Sequence, residues 1–404
     1  MKFVTNYSRI GLYEVQITDS RTNSPAATSP TPARSGEPLT FIVALRAIAA
    51  LVIVWHHFAI YPPLREWAAP LFGSALDWLQ HHARTTQVFF AISGYLMARS
   101  MSSRAWGLRQ VGGFILQRYC RLGLPYLGAI ALVVLAYAFA RDWMPDEVVG
   151  APVSWPQFLA HLFFLQDLLG FEQLSAGMWF VCINFQLGLV YVAGLWLRDK
   201  VAAARLDMVG LIGWPLAALS LFHFNLDPAW DGWWLYFFPY FFLGVVIQRS
   251  LRRGAPHTEF LLYLAMLAAA MAFEWRWRLL SAVLVGLMLY TTEASGLARR
   301  WPRSRIVHRI GQISFSLFLV HFPVLVLVGA LWVRQDWTSP EAATAGLVVA
   351  FIASLAAAEV FHRLVEAPSA RLARRVRTSG PRQEDARAQP PRPARGWQAA
   401  LANR

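Results

Sequence analysis

The sequence predicts an all-α protein, a polytopic integral membrane helical bundle of about ten transmembrane helices. Of its 404 residues 56% are hydrophobic and 15% are charged, a balance found in membrane proteins rather than globular ones. Apolar runs long enough to cross a bilayer, which takes about 20 helical residues, recur from Leu39 to Val365. The arginines gather in alternate connections between those runs, as cytoplasmic loops do.

In chain order, residues 1–38 are polar, hold no apolar stretch of signal-peptide length and end in a Ser/Thr/Pro/Ala-rich run. They read as a disordered cytosolic lead-in. The first span covers 39–61, and others are expected at about 85–101, 118–139, 177–197, 208–226, 233–248, 259–274, 278–292, 311–334 and 342–365. Within this 39–368 transmembrane domain, four connections are basic: Arg99 to Arg121, Arg198 to Arg205, Arg249 to Arg253 and Arg299 to Arg309. These read as cytoplasmic, and both termini with them. Two others carry acids, Asp142, Asp146, Glu147, Asp167 and Glu172 in one and Asp227 and Asp231 in the next, and read as outward. The segment 155–171 is apolar but interrupted by His161, Gln166 and Asp167, so it should lie in the interface or re-enter the bundle. The tail, 369–404, is dense in arginine and then Pro/Gln-rich, suited to a cytosolic anchor on anionic lipid.

A formal charge of +14 could suggest nucleic acid. The arginines instead flank apolar runs rather than forming one basic face, so membrane lipid is the expected partner and nucleic acid is not. Two cysteines, Cys120 and Cys182, fall toward opposite membrane faces in this topology, too far apart for a disulfide. No metal-ligand spacing is present, and no metal is expected.

The first span, LTFIVALRAIAALVIVWHHFAIY, holds Arg46, His56 and His57 in hydrocarbon. An ionisable group there costs a few kcal/mol unless paired or facing a cavity. Eleven steps of about 100° separate Arg46 from His57, returning to within about 20° of the same face, with the groups about 16 Å apart along the axis. His56 points elsewhere. A snorkelling arginine and a helix-bridging histidine are the plain alternatives, but a shared face argues for a stripe lining a path through the bundle.

Further on, Ser93 and Gly94 form a small pair in mid-span that permits close helix contact. Arg118 and Arg121 are one turn apart at the cytoplasmic mouth of the third span, a spacing that aims two guanidiniums at one phosphate, though topogenic charge would place them there too. Asn184 and Gln186 are amides among apolar residues, and His321 lies near the middle of the ninth span. Glu359, His362 and Glu366 are candidate partners for such groups.

The stretch LRAIAALVIVWHHF resembles the opening motif of the membrane acyltransferase-3 family, which acylates sugars of O-antigen, exopolysaccharide and related acceptors and carries Arg and His separated by ten residues. That spacing selects His57 over His56, as the face argument does. The similarity runs through FFAISGYL, the pair Arg118 and Arg121 with Pro125, ISFSLFLVHFP around His321, and VEAP at Val365 to Pro368. One departure is clear: where the family often has Trp-Ser-Leu-x-x-Glu, Trp179 is followed by Phe180 and Val181, and Asn184 stands at the Glu place.

The resemblance implies an O-acyltransferase of a bacterial-type inner membrane that uses acyl-CoA, most often acetyl-CoA, as co-substrate without a permanently bound cofactor. The acceptor would be a carbohydrate or lipid-linked glycan. His57 would act as general base or first acyl acceptor, Arg46 would orient the donor or stabilise an oxyanion, and Arg118 and Arg121 would hold the CoA phosphates. Ser93, Asn184 and His321 are the expected substrate-binding residues. A transporter or flippase of a glycan or anionic small molecule is the rival reading, since intramembrane Arg and His also mark transport paths, but no internal repeat supports it.

Overall fold

The computed structural model describes residues 39–201, 206–253 and 257–376, all one compact unit. The lead-in expected over 1–38 and the tail beyond 376 lie outside the described residues. Among those described there is no strand. Hydrocarbon forces this, because a helix satisfies its backbone hydrogen bonds within one segment.

The chain runs α1 (Thr40–Phe58), α2 (Leu64–His82), α3 (Thr86–Met101), α4 (Leu108–Arg118) and, across a π-helical turn at Tyr119–Gly123, α5 (Leu124–Ala140). The outer segment holds α6 (Asp146–Val149) and α7 (Trp155–Leu162). Then come α8 (Met178–Lys200), α9 (Met208–Phe222), α10 (Trp234–Arg253), α11 (Thr258–Phe273), α12 (Trp277–Ala294), α13 (Arg305–Arg334) and α14 (Pro340–Phe361). A second π-helical turn, His362–Glu366, leads to α15 (Ala367–Val376). Helix starts follow side-chain chemistry: Ser154, Asp207, Ser304 and Ser339 each accept the backbone N–H three residues on.

Among the described residues, six helical stretches are long and apolar enough to cross a membrane: Thr40–Phe58, Leu108–Ala140, Met178–Lys200, Met208–Leu226, Arg305–Arg334 and Pro340–Val376. The other four expected spans are helices as well, but α3 and α11 have 16 residues each and α10 and α12 are less apolar. For α10 the reason is position. It packs along α3, α9, α11 and α12, with every residue from Tyr236 to Gln248 buried, so little of it has to suit lipid.

Glycine sets the closest approaches. A Cβ at Gly94 would stand 1.9 Å from the Phe241 carbonyl oxygen and one at Gly244 1.9 Å from that of Ala91, so α3 and α10 touch backbone to backbone. A Cβ at Gly311 would lie 2.2 Å from the Val43 oxygen, which seats α13 directly on α1.

Two segments differ from expectation or extend it. The connection after the first span is a helix, α2, with Leu64, Ala68 and Leu76 buried at helical spacing. That periodicity is visible in the sequence, but charged and polar residues dilute it below a spanning signal. The segment after α7 does enter the bundle: Phe164 is 2% exposed, and its carbonyl accepts from Cys182 Sγ at 2.9 Å and Gln186 Nε2 at 3.1 Å. Both cysteines are free and buried.

Candidate active site

Helices α1 and α13 run side by side and are joined at two levels. Near the start of α1, Arg46 donates to Ser314 Oγ at 2.9 Å. Near its end, His57 Nδ1 lies 2.7 Å from His321 Nε2, with the two rings 7° from parallel. His321 Nδ1 lies 3.1 Å from the Leu317 carbonyl. A carbonyl only accepts, so His321 Nδ1 carries the proton and the neutral ring presents a bare Nε2. That Nε2 must accept from His57 Nδ1. The neutral His57 therefore has its lone pair on Nε2, the tautomer of a base. His56 faces away and bonds Leu79 O through Nδ1 at 3.0 Å.

At the level of Arg46 and Ser314, and reaching Phe318 toward the histidines, lies a cavity of about 160 Å³. Its polar wall is made of Arg46, Ser93, Arg121, Asn184, Ser314 and Glu366, and its apolar wall includes Phe89, Ile92, Phe180, Val181, Phe315 and Phe318. Four of the sequence-predicted residues, Arg46, Ser93, Arg121 and Asn184, thus share one cavity. His57 and His321 are paired with one another and do not line it. They adjoin its wall through Phe318, whose ring centroid is 6.1 Å from that of His321.

Arg118 and Arg121 do not converge on one place. Arg118 is committed to α8, donating to the Asn184 backbone oxygen at 2.6 Å and to Asn184 Oδ1 at 3.3 Å. Its guanidinium lies over Gly188, where a Cβ would come within 2.6 Å of Nε. Arg121 is exposed and faces the cavity. The reason is the π-helical turn that begins at Tyr119, which breaks the i, i+3 register of an α-helix between the two arginines. Because Ser93 Oγ also donates to Asn184 Oδ1, at 2.7 Å, two donors fix which end of that amide is oxygen. Asn184 here does what a carboxylate would do, accepting from both, but it leaves the Arg118 charge unneutralised.

Sequence reasoning missed Ser314, and it could only name Glu366 as a possible partner. Glu366 sits in the second π-helical turn, where Oε2 accepts from Ser316 Oγ at 2.6 Å and His362 Nδ1 at 2.9 Å, and it lines the cavity facing the arginines. Glu359 is occupied elsewhere, by Arg309 and Arg363. With Arg46 and Arg121 on the wall, Arg118 behind it and Glu366 the one carboxylate lining it among the described residues, the cavity wall carries net positive charge. An anion of phosphate or carboxylate type is the ligand that charge suits.

Comparison with known proteins identifies the family. The chain is 25% identical over 328 residues to acyltransferase MdmB of Streptomyces mycarofaciens, covering 72% of this chain and 81% of that one. It is 24% identical over 324 residues to glucans biosynthesis protein C of Salmonella paratyphi A, covering 70% and 78%. No solved structure matches. The family described as "Acyltransferase domain" matches residues 39–359. That match spans most of the chain and includes Arg46, His57 and His321; the protein is a membrane acyltransferase of the acyltransferase-3 family.

Proposed function

We propose that the protein moves a short acyl group, most often acetyl, from acyl-CoA to a hydroxyl of a carbohydrate or lipid-linked glycan. The observation that carries this reading is the hydrogen-bond chain from Leu317 O through His321 to His57, beside a cavity ringed by arginine. His57 Nε2 takes the proton of the acceptor hydroxyl as its oxygen attacks the thioester carbonyl. The new C–O bond forms, the C–S bond breaks, and the CoA thiolate leaves with the proton that His57 took up, which restores the neutral base. His321 holds His57 in the reactive tautomer and disperses the imidazolium charge, as an orienting partner does in other base-catalysed acyl transfers.

The donor reading rests on charge and length. Arg121 and Arg46 supply forked donors for phosphate oxygens, while Arg118 acts through Asn184 rather than on the ligand. Arg46 stands about 16 Å below His57 along α1, too far to stabilise an oxyanion at the reacting carbon. That separation suits an anionic head at the arginines and a pantetheine arm reaching toward the histidines. The carbohydrate acceptor is supported by the family resemblance and by the name of the glucan-biosynthesis relative. It would approach from the outward face, where the loop charges put the His57 end of α1, in a bacterial-type inner membrane with both termini cytoplasmic and ten crossings.

The direct test supplies labelled acetyl-CoA to the purified protein with membrane glycan fractions. Label appearing on glycan, and glycan O-acetylation lost when the gene is removed, is the expected result. Label that stays on CoA under all acceptors would overturn the reading.

A further inference from the structure

The cavity is not open all the way to the histidines. Phe89 of α3, Phe180 of α8 and Phe318 of α13 meet pairwise, with ring centroids 5.8 Å apart for Phe89 and Phe180, 6.3 Å for Phe89 and Phe318, and 5.3 Å for Phe180 and Phe318. Those are contact distances for edge-to-face aromatic pairs, so the three rings close a triangle. On α3 and α8 Phe89 and Phe180 come one turn before the polar lining residues Ser93 and Asn184 of the same helix. On α13 the order is Ser314 beside Arg46, then Phe318, then His321 beside His57, at spacings of four and three that keep all three on one face. The triangle therefore lies between the arginines and the base.

We propose that Phe89, Phe180 and Phe318 form a collar that selects the acyl group by length, admitting acetyl and excluding longer chains. The inference rests on the acyl-CoA reading above. For transfer, the thioester carbonyl must come to the His321 side of the collar, and it brings its alkyl group with it. With the pantetheine arm threading the collar behind the carbonyl, the alkyl group has to be housed against the histidine-side faces of the same three rings, which are already in contact. Two of the rings have little room to yield: Phe180 is backed by the Phe90 ring at 4.7 Å, and Phe318 by Gly177, where a Cβ would come within 2.9 Å of both its ring and its carbonyl oxygen. Phe89 is only half-buried and is the ring free to move. A methyl group needs only the small space that movement of Phe89 would open beside the arm. Each further methylene meets the two fixed rings, a discrimination of about tenfold or more per carbon in a tight apolar pocket.

The test uses the full chain in membranes with acetyl-, butanoyl- and hexanoyl-CoA, following release of free CoA thiol in the presence of glycan acceptor. The wild type should use acetyl-CoA and lose rate steeply with length. Phe318→Ala should raise the ratio of butanoyl to acetyl turnover about tenfold or more, and Phe318→Leu, which keeps an apolar fill if the alanine form misfolds, should raise it less. Phe180→Ala should act in the same direction. If the wild type transfers all three acyl groups alike, or if every collar variant slows all donors in parallel with the ratio unchanged, the rings are packing only and the collar is refuted while the acyl-CoA reading stands. If the wild type consumes no acyl-CoA and none of the three displaces labelled acetyl-CoA, the functional reading falls and the collar with it.

Discussion

An imidazole serves as a base only through a nitrogen that carries a lone pair, and here the backbone carbonyl of Leu317 decides, through His321, which nitrogen of His57 that is. His57→Ala should therefore reduce turnover on the order of 10²–10⁴ with yield from membranes near wild type. His56 shares its depth and residue type but bonds Leu79 O on another face. His56→Ala should keep most activity, and an inactive His56 variant beside an active His57 variant would move the base to the wrong side of α1. His321→Phe removes the acceptor for His57 Nδ1, and a fall in kcat of about 10² with KM for acyl-CoA little changed would mark it as a positioning residue. Unchanged kcat would show that the pairing does not matter. Arg46→Lys keeps the charge and loses the planar fork that reaches both Ser314 and the cavity, so acyl-CoA KM should rise about tenfold or more. A snorkelling arginine would tolerate lysine without change.

The helices that build the site depart from regular α geometry where it matters. Both π-helical turns among the described residues deliver a charged residue to the cavity, Arg121 from one and Glu366 from the other, in keeping with the concentration of such turns at functional sites. The first of them also divides the arginine pair. Arg121→Ala should raise KM for acyl-CoA while the melting temperature holds. Arg118→Ala should lower the melting temperature as well, because it removes the donor that ties α4 to α8 through Asn184. Equal behaviour in both measurements would mean that the two act as one phosphate clamp. Packing of α3 on α10 tests a different feature. Gly94→Ala or Gly244→Ala would force a Cβ into a backbone carbonyl, and either should destabilise by about 1–3 kcal/mol or more. A thermal unfolding curve unmoved by both would show that the two helices have room to separate.

For the whole molecule, loop charge sets the orientation and thereby the side from which each substrate arrives. A reporter that works only in the cytoplasm should be active when fused within 299–309 or after 375, and silent within 142–154 or 227–232. The reverse pattern would place the arginine end of the cavity outside and separate it from cytosolic acyl-CoA. The extra helix α2 packs on α14 and α1, and its Leu79 carbonyl bonds His56 beside His57.

The all-α bundle of apolar helices and the shared face of Arg46 and His57 follow from the sequence alone, because hydrocarbon length and the 3.6-residue period are properties of consecutive residues. The difference in helical phase between His57 and His56 was legible for the same reason, and the two rings do turn to different partners. What the chain order could not show is which distant residues meet. His321 stands 264 positions from His57, and Ser314 stands 268 from Arg46, and no local pattern pairs them. The π-helical turns were hidden as well, since Tyr119–Gly123 reads as ordinary helix, so Arg118 and Arg121 looked like one site. They became two only when α8 packed against α4 and gave Arg118 the Asn184 carbonyl oxygens to bind. The phenylalanine collar belongs to the same class: its rings come from three helices, each ring reads alone as lipid-facing or core, and only tertiary packing brings them together.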